Sequence, residues 1–285
     1  MSLSNTLIAD AGATKIDWYL LAPMQSPGLR FQTSGMNAMM VGEDRILKEF
    51  KAVAEELGAG RAPKEIFYYG AGVATPSARE KISGAFLKVW PDAKVEVSSD
   101  LLAAARSLFG KEKGIACILG TGSNAGYYDG EKLESKIPSL GYILGDDGSG
   151  TALGIRLIRE IFKGEMDEDL KSYFINDCGL KLPYVLEGVY RKEGANKFIA
   201  SFVPFIRNKI DHPFIKNMVM DEFRKFFRLN IAPYGNSKSL PVTFTGSIAF
   251  HFAPLLREAA EAEGFKVGKI SDAPMEGLVE YHSKN

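Results

Sequence analysis

Six consecutive residues near the start of the chain, Asp10-Ala11-Gly12-Ala13-Thr14-Lys15, put a carboxylate, small residues, a hydroxyl and a cation into one turn between two apolar runs. Small residues leave successive backbone N–H groups uncovered, so the turn can cradle an anion; an ordinary hairpin with an Asp-Ala-Gly turn reads the same way. Gly120-Thr121-Gly122-Ser123-Asn124 is a second such turn, bounded by the apolar runs 114–119 and 125–128. Thr245-Gly246-Ser247 is a third, between the run 241–244 and a helical pattern, where Ser247 also reads as a helix cap. In Gly145-Asp146-Asp147-Gly148-Ser149-Gly150, glycines precede a helix, so backbone can approach a ligand where the helix dipole favours negative charge. Asp100 follows the strand pattern 95–97, at the carboxyl end where reacting groups of open α/β sheets gather, and a carboxylate there can accept a proton from a hydroxyl. Standing before Leu-Leu-Ala-Ala-Ala, it equally reads as a helix N-cap.

The elements that must hold these turns alternate. The opening hairpin is followed by an extended piece at 29–32, then by apolar Ile46, Leu47, Phe50, Val53, Ala54 and Leu57 at helical spacing, stopped by Gly58. Ile66-Phe67-Tyr68-Tyr69 reads as a buried strand running into the flexible loop 70–73, and a helix follows over 76–90. After the strand at 95–97 and a helix over 101–108, the second half begins with another strand, turn and strand, repeating the opening hairpin. Helices are expected over 151–162, across most of 167–227, over 248–263 and at 275–282, with strands at 241–244 and 265–270; Phe223, Phe226 and Phe227 read as core. An antiparallel opening followed by alternation implies mixed α/β sheets flanked by helices, duplicated along the chain. No Pro- or Ser-rich linker divides it; the expected lobes are 1–106 and 107–285, with a terminal segment 272–285 that packs back on the first lobe.

Composition narrows the classes of partner. Lys plus Arg equals Asp plus Glu at 35 each, so no global field draws the protein to nucleic acid or to an anionic membrane. No apolar run nears the ~20 residues of a bilayer span and no leader is recognisable, which makes the cytoplasm the expected location. Cys117 and Cys178 are too few for a disulfide framework, and His212, His251 and His282 have no ligand spacing, so no protein-held metal cage is expected.

Taken in order, Asp10-Ala-Gly-Ala-Thr-Lys15, Ser99-Asp100 opening a helix, Gly120-Thr-Gly-Ser-Asn124, Gly145-Asp-Asp-Gly-Ser-Gly150 and Thr245-Gly-Ser247 resemble the phosphate and adenosine motifs of the actin, Hsp70 and sugar-kinase superfamily. Within it the chain is most similar to the N-acetylglucosamine kinases and the related BadF/BadG-type ATPases. The resemblance implies a two-lobed, duplicated ribonuclease H-like (actin-like ATPase) fold with the active site in the interlobe cleft. It also implies ATP and Mg2+ as cofactors and a small sugar as substrate; a homodimer is admitted but not required. The implied activity is an ATP-dependent sugar kinase acting on the 6-hydroxyl of an amino sugar, N-acetylglucosamine first. A kinase of another hexose is an alternative, as is an ATP-driven activator of a redox partner, which would hold an iron–sulfur cluster through cysteines of two subunits.

Phosphoryl transfer asks little covalent work of a protein; donor phosphates and acceptor hydroxyl must be held in line. In the resemblance, Asp10, Gly12, Ala13, Thr14 and Lys15 face the phosphates, with Asp10 on the magnesium shell and Lys15 either a phosphate donor or a solvated turn lysine. Gly120, Thr121, Gly122 and Ser123 hold the phosphates from the opposite lobe, and Thr245, Gly246 and Ser247 back the adenosine. Asp100 is the implied base. Asn37, Gly72, Asn124, Gly145 and Asp146 are the implied sugar residues, with Asp146 and Asp147 alternatively capping a helix or meeting magnesium.

Overall fold

The computed structural model describes residues 5–12, 14–22, 28–39, 41–73 and 75–284, so Ala13 lies outside the described residues. The chain divides into two compact units, residues 1–111 with 274–285 and residues 112–273.

The first unit is built on a five-stranded sheet of β1 (Thr6–Ala11), β2 (Lys15–Leu21), β3 (Leu29–Ser34), β4 (Glu65–Gly70) and β5 (Lys94–Ser99), ordered β3-β2-β1-β4-β5. The first three strands pair antiparallel, and β4 and β5 join in parallel through α1 (Glu43–Leu57) and α2 (Pro76–Val89). Alternation along the strands sorts side chains between two faces. Leu7, Ala9 and Ala11 of β1, Trp18 of β2 and Tyr68 of β4 pack with Phe50 of α1 and Phe86 of α2. Ile8 and Tyr69 face the other way, onto α3 (Asp100–Phe109) and the last helix. Asp10, two residues beyond Ile8, shares that second face at the carboxyl end of the sheet.

The second unit repeats the plan. β6 (Gly114–Leu119), β7 (Ser123–Tyr128) and the short β8 (Leu133–Glu134) are antiparallel, while β9 (Pro241–Thr245) and β10 (Lys266–Ser271) add in parallel, in the order β10-β9-β6-β7-β8. Reversed, this is the first sheet's order strand for strand, so the duplication implied by the sequence is present in topology. Between β8 and β9 run α4 (Gly141–Leu144), α5 (Gly150–Lys163), α6 (Glu168–Ser172), α7 (Leu182–Tyr190), α8 (Ala195–Ala200), α9 (Val203–Asn208) and α10 (Pro213–Phe226). Phe223, Phe226 and Phe227 are fully buried in the core, the first against Phe252 and the other two against Phe244.

The helix expected over 248–263 is two helices, α11 (Ser247–His251) and α12 (Ala253–Ala262), parted at Phe252. Pro254, which has no N–H to donate, starts the second one. The last helix, α13 (Met275–Lys284), belongs to the first unit: a Cβ on Gly277 would lie 2.2 Å from the Ser107 carbonyl, so the backbones of α13 and α3 touch. No helix among the described residues is long and apolar enough to cross a membrane.

Candidate functional site

In the first unit, Asp10 stands in register with Asp17 of β2 and Tyr69 of β4. Asp17 is 2% exposed and its charge is answered by Arg30, whose Nη2 and Nε donate to the two carboxylate oxygens at 2.6 and 3.2 Å. Asp10 has no cationic partner within salt-bridge distance among the described residues. Burial first, then the charges of Asp100 and Asp17, push its carboxyl up to about 7 against a smaller pull from Lys15. The Asp100 carboxyl is pushed up to about 6 by burial, partly offset by backbone N–H groups, of which that of Leu101 donates to it at 2.8 Å. These values belong to an interacting pair, and the direction is upward for both.

Asp100 is not the cap of α3. Ser99 takes that role, its hydroxyl accepting from the Leu102 N–H at 3.2 Å. The carboxylate stands at the first helical residue, where the dipole favours negative charge.

Around the Asp10 turn, Gly12 N–H donates to the Lys15 carbonyl at 3.0 Å and Gly35 N–H to the Thr14 carbonyl at 3.1 Å, with both Thr14 and Lys15 side chains exposed. Ala71 N–H reaches the Ala11 carbonyl at 3.0 Å, and Ala38 N–H reaches the Ala71 carbonyl at 3.3 Å. Gly72 has φ +78°, and a Cβ there would sit 2.1 Å from Asn37 Oδ1, so glycine is required. Asn37 Oδ1 is itself held by the Met39 N–H at 3.0 Å. The structure thus brings Asp10, the 70–72 loop and Asn37 together.

In the second unit, the Gly120 turn is stitched to the start of α5. Gly150 N–H donates to the Gly120 carbonyl at 2.8 Å, and the Thr121 carbonyl accepts from the Thr151 N–H at 3.1 Å and its hydroxyl at 2.7 Å. Asp146 adopts φ +56°, alone among the described non-glycine residues, and its Oδ1 accepts from the Ser123 N–H at 3.3 Å beside Gly122. Burial, the first cause, raises its pKa; the Ser123 N–H opposes and the Asp147 charge adds. Gly145 precedes it as the last of the 141–145 turn, its N–H on the Gly141 carbonyl. Asn124 is the second residue of β7, its Oδ1 accepting from the Ala125 N–H at 2.9 Å. Neither Asp146 nor Asp147 caps α5: Ser149 does, and Asp147 is bound by Lys225 at 2.8 Å and Asn230 at 3.2 Å.

Thr245 is buried at the end of β9, and Gly246 follows with φ +116°. A Cβ on Gly246 would lie 2.3 Å from the Leu119 carbonyl oxygen, so this turn and the Gly120 turn touch through backbone. Ser247 is exposed and caps nothing; α11 has no side-chain cap. A cavity of about 290 Å³ opens where Gly120, Thr121, Ser247 and Ile248 meet Arg207 and His251. Sequence patterning passed over Arg207 and His251, which pair at 3.2 Å and come from separate helices. It also passed over Asp17, whose only signal was its place opposite Asp10 in the hairpin.

Among the described residues no group of three His, Cys, Asp or Glu side chains is arranged for a metal ion. Asp10 is the side chain that fits a divalent cation: half-buried, without a cationic partner among the described residues, and under the charges of two further carboxylates. Magnesium commonly takes only one or two carboxylates, completing its shell with water and phosphate oxygens.

Two sheets with one repeated topology, each carrying glycine turns at the carboxyl ends of its first strand, define an actin-like ATPase fold. Solved structures agree. A putative N-acetylglucosamine kinase from Porphyromonas gingivalis is 38% identical, with 98% of this chain and 99% of that chain covered at a TM-score of 0.90. A second putative N-acetylglucosamine kinase, from Chromobacterium violaceum, is 17% identical over 99% of both chains at 0.73, and the ethanolamine utilization protein EutJ from Carboxydothermus hydrogenoformans is 16% identical over 99% of this chain and 91% of that one at 0.50. The latter two likenesses concern the fold alone. No protein-family model and no curated protein sequence matches the chain. At 38% identity across its length, the chain belongs to the N-acetylglucosamine kinase family and is an ATP-dependent phosphotransferase.

Proposed function

We propose that the protein is an ATP- and Mg2+-dependent sugar kinase that phosphorylates the 6-hydroxyl of N-acetylglucosamine. The observation that carries this reading is the Asp10–Asp100 pair, two carboxyls raised by burial at the carboxyl end of one sheet. A metal-binding acid and a proton acceptor at the same end of one sheet are what transfer to a hydroxyl needs.

In this reading Asp100 hydrogen-bonds the 6-hydroxyl and takes its proton as the oxygen attacks the γ-phosphorus. The bond from that phosphorus to the bridging oxygen breaks, and ADP leaves with the electron pair. Asp10 holds magnesium, directly or through water; when bound, the ion neutralises charge on the phosphate oxygens. Thr14 and Lys15 donate to phosphate in the first unit, where Gly12 lets the phosphate approach the turn. Thr121, Gly122 and Ser123 do so in the second, where Gly120 lets the phosphate approach the turn, Thr245, Gly246 and Ser247 back the nucleoside and Arg207 supplies positive charge. Asn37, Gly72, Asn124, Gly145 and Asp146 recognise the sugar. The cytoplasm is the proposed location.

The family likeness to ATP-driven redox activators is disfavoured by Cys117. Its thiol is fully buried in β6 within the core of the second unit, and burial pushes its pKa up, the reverse of an accessible cluster ligand.

Incubation with MgATP and N-acetylglucosamine, followed by phosphorus NMR, tests the reading. The expected product is N-acetylglucosamine 6-phosphate. Phosphate on a different hydroxyl would contradict the assigned position, and a different hexose as sole product would contradict the assigned sugar.

A further inference from the structure

Tyr68 is fully buried, yet its hydroxyl has no hydrogen-bond partner among the described residues. An orphaned buried hydroxyl is uncommon and costly, and phenylalanine would fill the same space without that cost. The ring is locked, packed against Trp18, Phe50 and Phe86 at centroid distances of 6.5, 6.1 and 5.7 Å. It leans along β4 toward the carboxyl end of the sheet, so that a Cβ on Gly70 would lie 2.5 Å from its Cε1 and 3.3 Å from its hydroxyl oxygen. Gly70 opens the loop that is hydrogen-bonded to Ala11 and Ala38 and that touches Asn37 at Gly72. Burial first, then the charges of Asp10 and Glu49, raise the phenol's pKa, which keeps it protonated and able to donate. A polar tip is therefore held rigidly beside the residues assigned to the acceptor, with nothing in the described protein to satisfy it.

We propose that the Tyr68 hydroxyl is a specificity determinant for the acceptor sugar, hydrogen-bonded by a polar substituent of the sugar ring when the sugar lies against Asn37 and the 70–72 loop. The proposal rests on the sugar-kinase reading and adds to it a recognition group on the sheet itself. Because the hydroxyl is buried, residues 70–72 must shift when the sugar binds, and a sugar lacking that group leaves the phenol unpaired. Discrimination arises from that difference.

Tyr68→Phe tests it, because the change removes one oxygen and keeps the ring packing. Steady-state kinetics with MgATP and N-acetylglucosamine, glucosamine, glucose and the single-deoxy sugars are measured for both proteins, with thermal unfolding in the absence of sugar. The variant is expected to unfold at the same or a higher temperature. Its KM for the best sugar should rise about tenfold, the effect of one hydrogen bond, while kcat and the KM for ATP stay within about twofold. One deoxy sugar, lacking the contacted group, should serve both proteins alike. A lower unfolding temperature would show that the hydroxyl has a structural partner, and an unchanged sugar KM with wild-type turnover intact would show that it does not meet the sugar; either overturns the proposal alone. Wild-type protein that phosphorylates no sugar overturns the kinase reading and this proposal together.

Discussion

At the scale of single residues, desolvation makes Asp10 and Asp100 costly as structural groups and suits them to the reactive roles proposed for them. Their pKa values are raised to about 7 and about 6 from 3.8, so the folded chain holds more protons than the unfolded chain between pH 4 and 7. Stability contributed by these two sites therefore falls as pH rises through that window and is lowest above pH 7. Asp100→Asn should cut kcat by about 100-fold or more, while raising the unfolding temperature at pH 8 and leaving it nearly unchanged at pH 4. A cap would behave in the opposite way, losing stability at full turnover. Asp10→Asn should show the same pH-dependent gain in unfolding temperature, measured by scanning calorimetry, together with a weakened dependence of turnover on magnesium. The acid limb of kcat/KM should report a macroscopic pKa near 6 that disappears in Asp100→Asn. Asp10 and Asp100 were legible as candidates in the sequence, but their raised pKa values were not, and it takes the Ser99 hydroxyl, accepting from the Leu102 N–H, to remove the reading of Asp100 as the helix cap.

Among elements, the turns depend on backbone close to backbone. Gly246→Ala must place a methyl carbon against the Leu119 carbonyl at φ +116°, so the variant should lose about 3 kcal/mol in urea unfolding and bind nucleotide more weakly. Helix α3 is fixed from behind by a polar cluster. Arg106 Nη1 donates to the Tyr69 hydroxyl at 2.7 Å and to Glu96 at 2.6 Å, and His282 of α13 reaches the same hydroxyl at 2.8 Å while stacking on Phe67. Burial and the Arg106 charge lower the His282 pKa to about 4. The stability it supports is present above pH 6.5 and lost as pH falls toward 4, opposite in sign to the carboxylates. His282→Asn should remove that acid-side loss, read as a flatter profile of unfolding temperature between pH 6.5 and 4. Most elements could be read from periodicity, because an apolar run of four to six residues beside a helical stripe has few other meanings. What periodicity missed has physical causes: β8 is two residues long, α4 is one turn inside a glycine-rich loop, and the break at Phe252 comes from Pro254 within an otherwise continuous apolar stripe.

For the whole molecule, duplication was visible as a second hairpin, yet the proof lies in strand order, which no spacing in the sequence encodes. Turns that carry their own glycines were legible. Residues brought to the candidate site by position, such as Asp17, Tyr68, Arg207 and His251, were not, because contacts that join strand to strand or helix to helix leave no local mark. Fold alone would not settle activity, since the same architecture serves a protein named for ethanolamine utilization; the paired carboxylates and the relative at 38% identity supply the argument. The most direct test of the central claim is the rate of ADP release by the purified protein in MgATP, with and without N-acetylglucosamine. The account predicts a slow basal rate stimulated at least tenfold by the sugar and abolished in Asp100→Asn. An ADP release rate that no hexose changes would contradict it.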